Sequence, residues 1–388
     1  MPLARARLAR NVGVCPTMPH ILTINAGSSS IRYALFSSAA QPRRLLDGKI
    51  ERLGGDAAGE TAQRLIQELH ARSSGAAPDA IGHRVVHGMM HTHPERVSPA
   101  LLTELRRITP FDPEHLPREI GLIEEMQRRY PDVPQVACFD TAFHQDMPLV
   151  AATLPIPRRY AAKGVRRYGF HGLSYTFLLQ ELARLGDSTA AKGRVILAHL
   201  GNGASMAAVL DGRCIDTSMA FTPAAGLVMG TRSGDLDPGL MSYLALAESM
   251  SAAQFQTMVN HESGLIGISE TSADVRDLFE RARDDVRARE AIEIFCYQAK
   301  KWLGAFAAAL GGLDALVFAG GIGENSARVR QGICAGLQHL GVQLDDSLNE
   351  RNAPRISTGR VAVRVIRTDE ESVIAGLTAR ALAMALEE

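Results

Sequence analysis

The sequence predicts an α/β protein built from two related domains with mixed sheets and a ligand cleft between them. Two segments in separate halves of the chain carry that reading. In Ile21–Ser30 an apolar run with β-branched residues stops abruptly in Asn-Ala-Gly-Ser-Ser-Ser, and in Val195–Ser205 another stops in His-Leu-Gly-Asn-Gly-Ala-Ser. Short apolar runs closed by turn residues read as buried strands. Their turns offer small side chains, hydroxyls and open backbone N–H groups, which suit a phosphate. A third copy, Ala315–Asn325, ends in Gly-Gly-Ile-Gly-Glu-Asn. None of the three has the P-loop spacing or the dinucleotide-binding fingerprint, so a nucleotide site here belongs to another architecture. Two such turns facing one another across a cleft would hold a polyphosphate, which suggests a phosphotransferase.

The elements follow in order. Ile31–Phe36 forms a second strand, paired with the first through a hairpin at Gly27–Ser30. Leu65, Ile66 and Leu69 give residues 61–71 a helical period. Residues 80–87 form an apolar run ending at Gly88. Helices are predicted over 101–108 and 120–130, separated by a loop with Pro110, Pro113 and Pro117. A short strand, 135–139, delivers Asp140 to its end. After a proline-rich stretch (Pro148, Pro155, Pro157) the pattern restarts. It gives a helix over 172–185, a hairpin of 195–200 with 204–210, a long helix over 288–311 and a strand over 316–319. Helices over 326–340 and 373–386 close the chain. Strand, hairpin, strand and helix appearing twice argue for duplicated domains, with the cleft between them as the default ligand site.

Composition narrows the class. The 388 residues suffice for two cores, and a formal net charge of zero offers no field for nucleic acid or an anionic membrane. The longest apolar stretches are strand-length or broken by charge, so no membrane span is expected. Five scattered cysteines lack metal-ligand spacing and read as reduced thiols of a cytoplasmic protein. Residues 1–18 are Arg-rich without acidic residues. They are read as a disordered or misassigned leader, with Met18 as an alternative start.

Charged residues gather at loop positions. Arg84 stands between His83 and His87, Asp140 and His144 follow the 135–139 strand, and His171 precedes a helix; Arg232, Asp235 and Asp237 share a Gly-punctuated loop. Each has an ordinary structural reading: an Arg84–Asp140 ion pair, a helix cap at His171, turn formers at Asp235 and Asp237. Together, two arginines, a carboxylate and an imidazole beside three phosphate-type turns suit phosphoryl transfer, which needs charge stabilisation more than covalent help.

These residues resemble the acetate kinase family, within the superfamily of sugar kinases and actin, from Ile21 to about Arg380. The segments that carry the resemblance are 25–30, 83–88, 139–145, 167–172, 199–205, 216–219, 221–223, 226–235 and 320–325. The resemblance implies a duplicated ribonuclease-H-like fold. An N-terminal domain would comprise 19–146 plus 373–388, and a C-terminal nucleotide-binding domain 147–372. It implies reversible transfer of the ATP γ-phosphoryl group to acetate, giving acetyl phosphate and ADP. ATP would contact Ser28, Ser30, Arg32, His199, Asn202 and Gly203 through its phosphates, and Gly321, Ile322, Gly323 and Asn325 through its adenosine. Asn25 and Glu370 would attend Mg²⁺, with Mn²⁺ as a substitute. Arg84, Asp140, His171 and Arg232 would carry catalysis, and Val86, Phe170 and Pro223, with Arg84, would hold acetate. A cytoplasmic homodimer is implied in the same way.

Some positions depart from the family pattern. Arg32 replaces a lysine, Glu114 and Leu116 stand where Leu and Asn are usual, and Leu173 and Tyr175 replace Thr and His. A carboxylate beside a methyl group is costly unless it reaches solvent or a cation, so Glu114 leaves the acyl chain preference open. The alternatives are a propionate or other short-chain acyl kinase, and an ATP-binding regulatory module of the same fold with impaired turnover. A sugar kinase would further require a base to activate a hydroxyl.

Overall fold

The computed structural model describes residues 20–27, 30–37, 42–51, 58–72 and 77–384. The leader and Ser28 lie outside the described residues. The chain forms two sheets. In the first, β1 (His20–Ala26), β2 (Ser30–Ser37) and β3 (Arg43–Glu51) form an antiparallel meander. β4 (Ala80–Val85) runs parallel to β1, and β6 (Gln135–Phe139) runs parallel to β4. A two-residue edge strand, β5 (Glu95–Arg96), gives the order β3-β2-β1-β4-β6-β5. The second sheet repeats this plan. β7 (Arg194–Leu200), β8 (Ala204–Leu210) and β9 (Arg213–Thr217) form the meander, and β10 (Ala315–Ala319) and β11 (Ala362–Val365) continue it in parallel.

Strands buried on both faces read as continuous apolar runs, which is why β1, β7 and β10 stand out in the sequence. Helices cover both faces of each sheet. On the first, helices Ala58–Arg72 and Leu116–Arg129 bring Leu65, Leu69, Leu122 and Met126 against Leu22, Ile24 and Tyr33. The opposite face receives the C-terminal helix Glu370–Met384, whose Ile374 and Ala375 pack among residues of β1, β2, β4 and β6. On the second sheet, helix Val286–Ala309 covers one face with Phe295, Leu303 and Phe306. Helix Gly172–Arg184 covers the other with Tyr175, Leu178 and Leu182. The helices 172–184 and 370–384 also pack on each other and so join the two halves.

Two expected elements differ. The segment 326–340 is not one helix: Ala327–Cys334 is helical, and the chain then leaves at Gly336, whose φ is +82°. That left-handed conformation suits glycine and ends helices. A short 3₁₀ turn, Gln338–Leu340, follows. The glycine-rich turn at 320–325 is itself a short helix, entered through Gly320 at φ +76°. Its built Cβ would lie 2.7 Å from the Leu200 carbonyl oxygen, so only glycine lets β10 turn this close to the end of β7. Among the described residues no helix is long and apolar enough to cross a membrane.

Candidate active site

Parallel strands place their carboxyl ends together, and the groups delivered there converge on one crevice. Asn25 sits near the end of β1 and Arg84 near the end of β4, Asp140 follows β6, Gly201–Gly203 follow β7 and Gly320–Gly321 follow β10. All of these but the buried Asp140 border a cleft of about 1220 Å³ that draws its walls from both sheets and from Thr368–Glu371 at the start of the C-terminal helix.

Arg84 and Asp140 form the floor. Arg84 Nη2 donates to Asp140 Oδ2 at 2.8 Å, and Arg84 Nη1 reaches Asn25 Oδ1 at 3.4 Å. Asp140 is fully buried. Its Oδ2 also accepts the His171 backbone N–H at 2.9 Å, and its Oδ1 accepts that of Leu173 at 3.2 Å. Burial opposes ionisation of this carboxyl, but Arg84 and the two backbone donors outweigh it and hold its pKa below the ordinary value. Burial likewise opposes the charge on Arg84, and Asp140 and Glu370 outweigh it, raising that pKa. Asp140 is thus an ionised acceptor with both oxygens engaged. It orients Arg84 and the entry to helix 172–184.

His171 occupies the left-handed region at φ +60°, which turns the chain into that helix. Gly172 permits the turn, because a Cβ there would lie 2.1 Å from the Asp140 carbonyl oxygen. The His171 ring stacks on His199 with centroids 4.3 Å apart. Burial, then His199, Arg84 and Arg232, push its pKa well below 6.5, so the imidazole is neutral. His199 is lowered to about 4, chiefly by burial. A Cβ built on Gly203 would lie 3.5 Å from His171 Nε2 and 3.6 Å from Arg232 Nη1. The glycine therefore leaves a gap onto which an imidazole and a guanidinium both face.

Arg232 makes no ion pair among the described residues. Its Nη1 has only the Pro223 carbonyl, at 3.4 Å, and Met229 Sδ, at 4.0 Å. Burial lowers its pKa, with Asp112 opposing from a distance. A half-buried guanidinium without a carboxylate partner suits an anionic ligand. Asp235 and Asp237, on the same loop, are spent on turns: they accept the backbone N–H groups of Gly226 and Gly239 at 2.8 and 2.7 Å.

At the other wall, Asn25 Nδ2 donates to Glu370 Oε2 at 2.7 Å and to Glu371 Oε1 at 3.0 Å. Burial raises the pKa of both carboxyls. A cation between them and a polyphosphate would restore their charge, and Mg²⁺ characteristically takes one or two carboxylates plus substrate phosphates. Asn25 and Glu370 therefore fit a divalent ion.

The remaining expected positions divide. Ser30, Arg32, His199, Asn202, Gly203, Gly321 and Asn325 line the cleft, and Arg32 is exposed to it. Ile322 instead packs against the second core, and Gly323 is buried, its carbonyl accepting from Arg330 at 2.8 Å. Val86 and Phe170 are buried beyond the cleft and Pro223 is half-buried. Glu114 does not line the cleft, although its charge acts on Arg232. It pairs with His261 Nε2 at 3.1 Å on a partly exposed surface, and Leu116 is buried. Sequence reading missed Glu371, although it adjoins Glu370, and also Ser205 as the partner of His171 and Tyr175 as the partner of Ser205. It missed Arg44 as well, which pairs with Asp369 at the cleft rim.

Two copies of one five-strand plan, with phosphate-type turns at the facing strand ends, define the duplicated ribonuclease-H, actin-like class. Within that class, a profile described as the acetokinase family matches residues 55–376. An acetate kinase of Methylocella silvestris is 43% identical over 390 residues, covering 92% of this chain and 96% of that protein. A crystal structure of a propionate kinase from Francisella tularensis is similar at TM-score 0.84 and 35% identity, covering 94% of this chain and all of that one. The Porphyromonas gingivalis acetate kinase structure is similar at TM-score 0.83 and 32% identity, with the same coverage. The chain belongs to the acetokinase family.

Proposed function

We propose that this chain transfers the γ-phosphoryl group of ATP to acetate, reversibly, giving acetyl phosphate and ADP. The observation that carries the reading is that neutral His171 and Arg232, which has no ion pair among the described residues, face the gap over Gly203, with Arg84 lining the same cleft as His171. ATP phosphates would run along Asn202, Gly203 and Ser30 with Arg32 nearby, and the adenosine would lie towards Gly321 and Asn325. The acid's methyl group would enter among Val86, Phe170 and Pro223.

The acid needs no base, because a carboxylic acid is ionised at neutral pH. One carboxylate oxygen attacks the γ-phosphorus in line, a new P–O bond forms, the bond to the β,γ-bridging oxygen breaks, and ADP leaves with that electron pair. Arg232 and Arg84 hold the carboxylate and offset charge on the transferring group, and His171 donates a hydrogen bond to it. Asn25 and Glu370 would hold Mg²⁺, which would supply neutralisation of the phosphate charge. A hydroxyl acceptor suits the site less well, because Asp140 is buried with both oxygens occupied and cannot serve as the base it would require.

Propionate is the second reading, supported by the likeness to the Francisella tularensis propionate kinase at 35% identity. One methylene changes preference only about 10- to 200-fold. The test is turnover with ATP and Mg²⁺ over formate, acetate, propionate and butyrate, with hydroxylamine trapping the acyl phosphate. A maximum at acetate supports the first reading, one at propionate the second, and no trapped product from any acid refutes both.

We further propose a homodimer. Helix Gly239–Glu248 buries none of its residues, and Met241, Tyr243 and Leu246 stand exposed on it. An apolar patch of this kind marks an interface.

A further inference from the structure

Behind His171 lies a short polar chain that the catalytic reading does not use. Tyr175 Oη lies 2.5 Å from Ser205 Oγ, and Ser205 Oγ lies 2.8 Å from His171 Nδ1. Tyr175 and Ser205 are both wholly buried. Neither hydroxyl has another hydrogen-bond partner among the described residues. Proton count then fixes the direction of the chain. The Tyr175 O–H has one acceptor within reach, Ser205 Oγ, so it donates there. The Ser205 proton then has one acceptor left, His171 Nδ1. In the reverse arrangement, with the proton on Nδ1, Ser205 Oγ would accept twice and its own hydrogen would be buried without a partner. Buried donors are rarely left so, because desolvation is not repaid.

We infer that Tyr175 is a positioning residue: acting through Ser205, its hydroxyl holds His171 in the Nε2–H tautomer and aims that N–H at the gap over Gly203. Nε2 is the atom that faces the gap beside Arg232 Nη1. The phosphoryl group is an acceptor, so a donor at Nε2 attracts it, whereas a lone pair there would repel it. The burial of the Tyr175 phenol raises its pKa and keeps it a donor throughout the working range. The same helix turn supplies Ser174, whose hydroxyl lies 2.8 Å from His199 Nδ1 and 2.9 Å from Thr368 Oγ1. Two adjacent residues thereby brace the two stacked imidazoles from behind. The inference rests on the phosphotransfer reading for its consequence, but the tautomer itself does not.

The test is ¹⁵N NMR of the full chain, with the His171 signals assigned by their loss in His171→Gln, alongside steady-state kinetics. In the wild type the expected result is a protonated, pyrrole-type Nε2 and a bare, pyridine-type Nδ1. In Tyr175→Phe the ring should distribute between tautomers and kcat should fall about tenfold, the order of one lost hydrogen bond, with KM for ATP and acid little changed. Ser205→Ala should do the same and serves if Tyr175→Phe does not fold. A proton on Nδ1 in the wild type, or unchanged His171 shifts and kcat in both variants, overturns the inference. A chain that phosphorylates no acid would defeat the functional reading, yet the ¹⁵N shifts would still decide this one.

Discussion

Asp140 shows how one residue determines several others. Its two oxygens take Arg84, the His171 backbone and the Leu173 backbone, so a single buried carboxylate sets the cation, the turn and the helix that bring His171 forward. Arg232 has no such partner among the described residues, which suits it to an anionic ligand. Arg232→Ala should therefore lower kcat/KM for acid phosphorylation by about 10²–10³-fold, the scale of one lost preorganised donor, without altering the melting temperature much. Thermal denaturation and kinetics side by side check both halves. At Glu114 the expectation is different. Because it pairs with His261 on a partly exposed surface, Glu114→Leu should leave the acetate-to-propionate ratio within about threefold, whereas a group inside the pocket would shift it as one methylene does. Arg84 and Asp140 stood out in the sequence as charged residues at the ends of apolar strands, and His171 as an imidazole just before a helix. The Tyr175–Ser205 link was not. Its members lie on different elements, and only the packing of helix 172–184 on the second sheet joins them.

At the scale of elements, two glycines mark where helices must come close. A Cβ on Gly82 in β4 would lie 2.2 Å from Thr378 Oγ1 and 2.6 Å from Ile374 Cγ2, so the C-terminal helix rests directly on that strand. At Gly172 the obstacle is the Asp140 carbonyl oxygen, part of the backbone, which cannot swing aside. Gly172→Ala should destabilise the fold by about 1–3 kcal/mol and displace His171, so that activity falls further than stability does. Urea denaturation with activity measured on the folded fraction separates the two. Gly82→Val should loosen the helix that carries Glu370 and so weaken metal-dependent nucleotide binding before it unfolds the sheet. The apolar strands β1, β7 and β10 could be read from their patterns. β3 could not, since its Arg43, Arg44, Asp47 and Lys49 lie on a half-exposed strand and resemble a loop. The break at Gly336 was visible as a residue but not as a helix end, because a lone glycine within an amphipathic pattern is also tolerated.

For the whole molecule, buried titratable groups set the pH range of stability. His83, His87, His144 and His199 have pKa values lowered to about 4, with burial the main cause, against an ordinary 6.5. The unfolded chain binds more protons than the native one between those values, so stability falls as pH drops from 6.5 towards 4. Glu119 acts the other way. Burial, then Asp112, raise its pKa from 4.5 to about 8, so the native state holds a proton that the unfolded state has lost, and stability falls as pH rises through that window. The melting temperature should therefore peak near neutrality. Glu119→Gln keeps an acceptor for the Val86 N–H and should flatten the decline between pH 6.5 and 8. A second property of the whole is association: Leu246→Glu should yield monomers in sedimentation if the exposed helix 239–248 is the dimer face. The duplicated topology was legible, because each half repeats strand, hairpin, strand and helix. The exposed apolar helix was not noticed, since an apolar run alone does not say whether it faces a core or a partner.

The central claim is that a carboxylate takes the γ-phosphoryl group from ATP at the gap over Gly203. The most direct measurement follows that group by ³¹P NMR with ATP, Mg²⁺ and acetate, in the wild-type chain and in Arg232→Ala. The prediction is loss of the γ-phosphate resonance with matching growth of an acyl phosphate resonance, and near silence in the variant. Loss of the γ-phosphate to inorganic phosphate alone, or equal transfer without Arg232, would contradict the account.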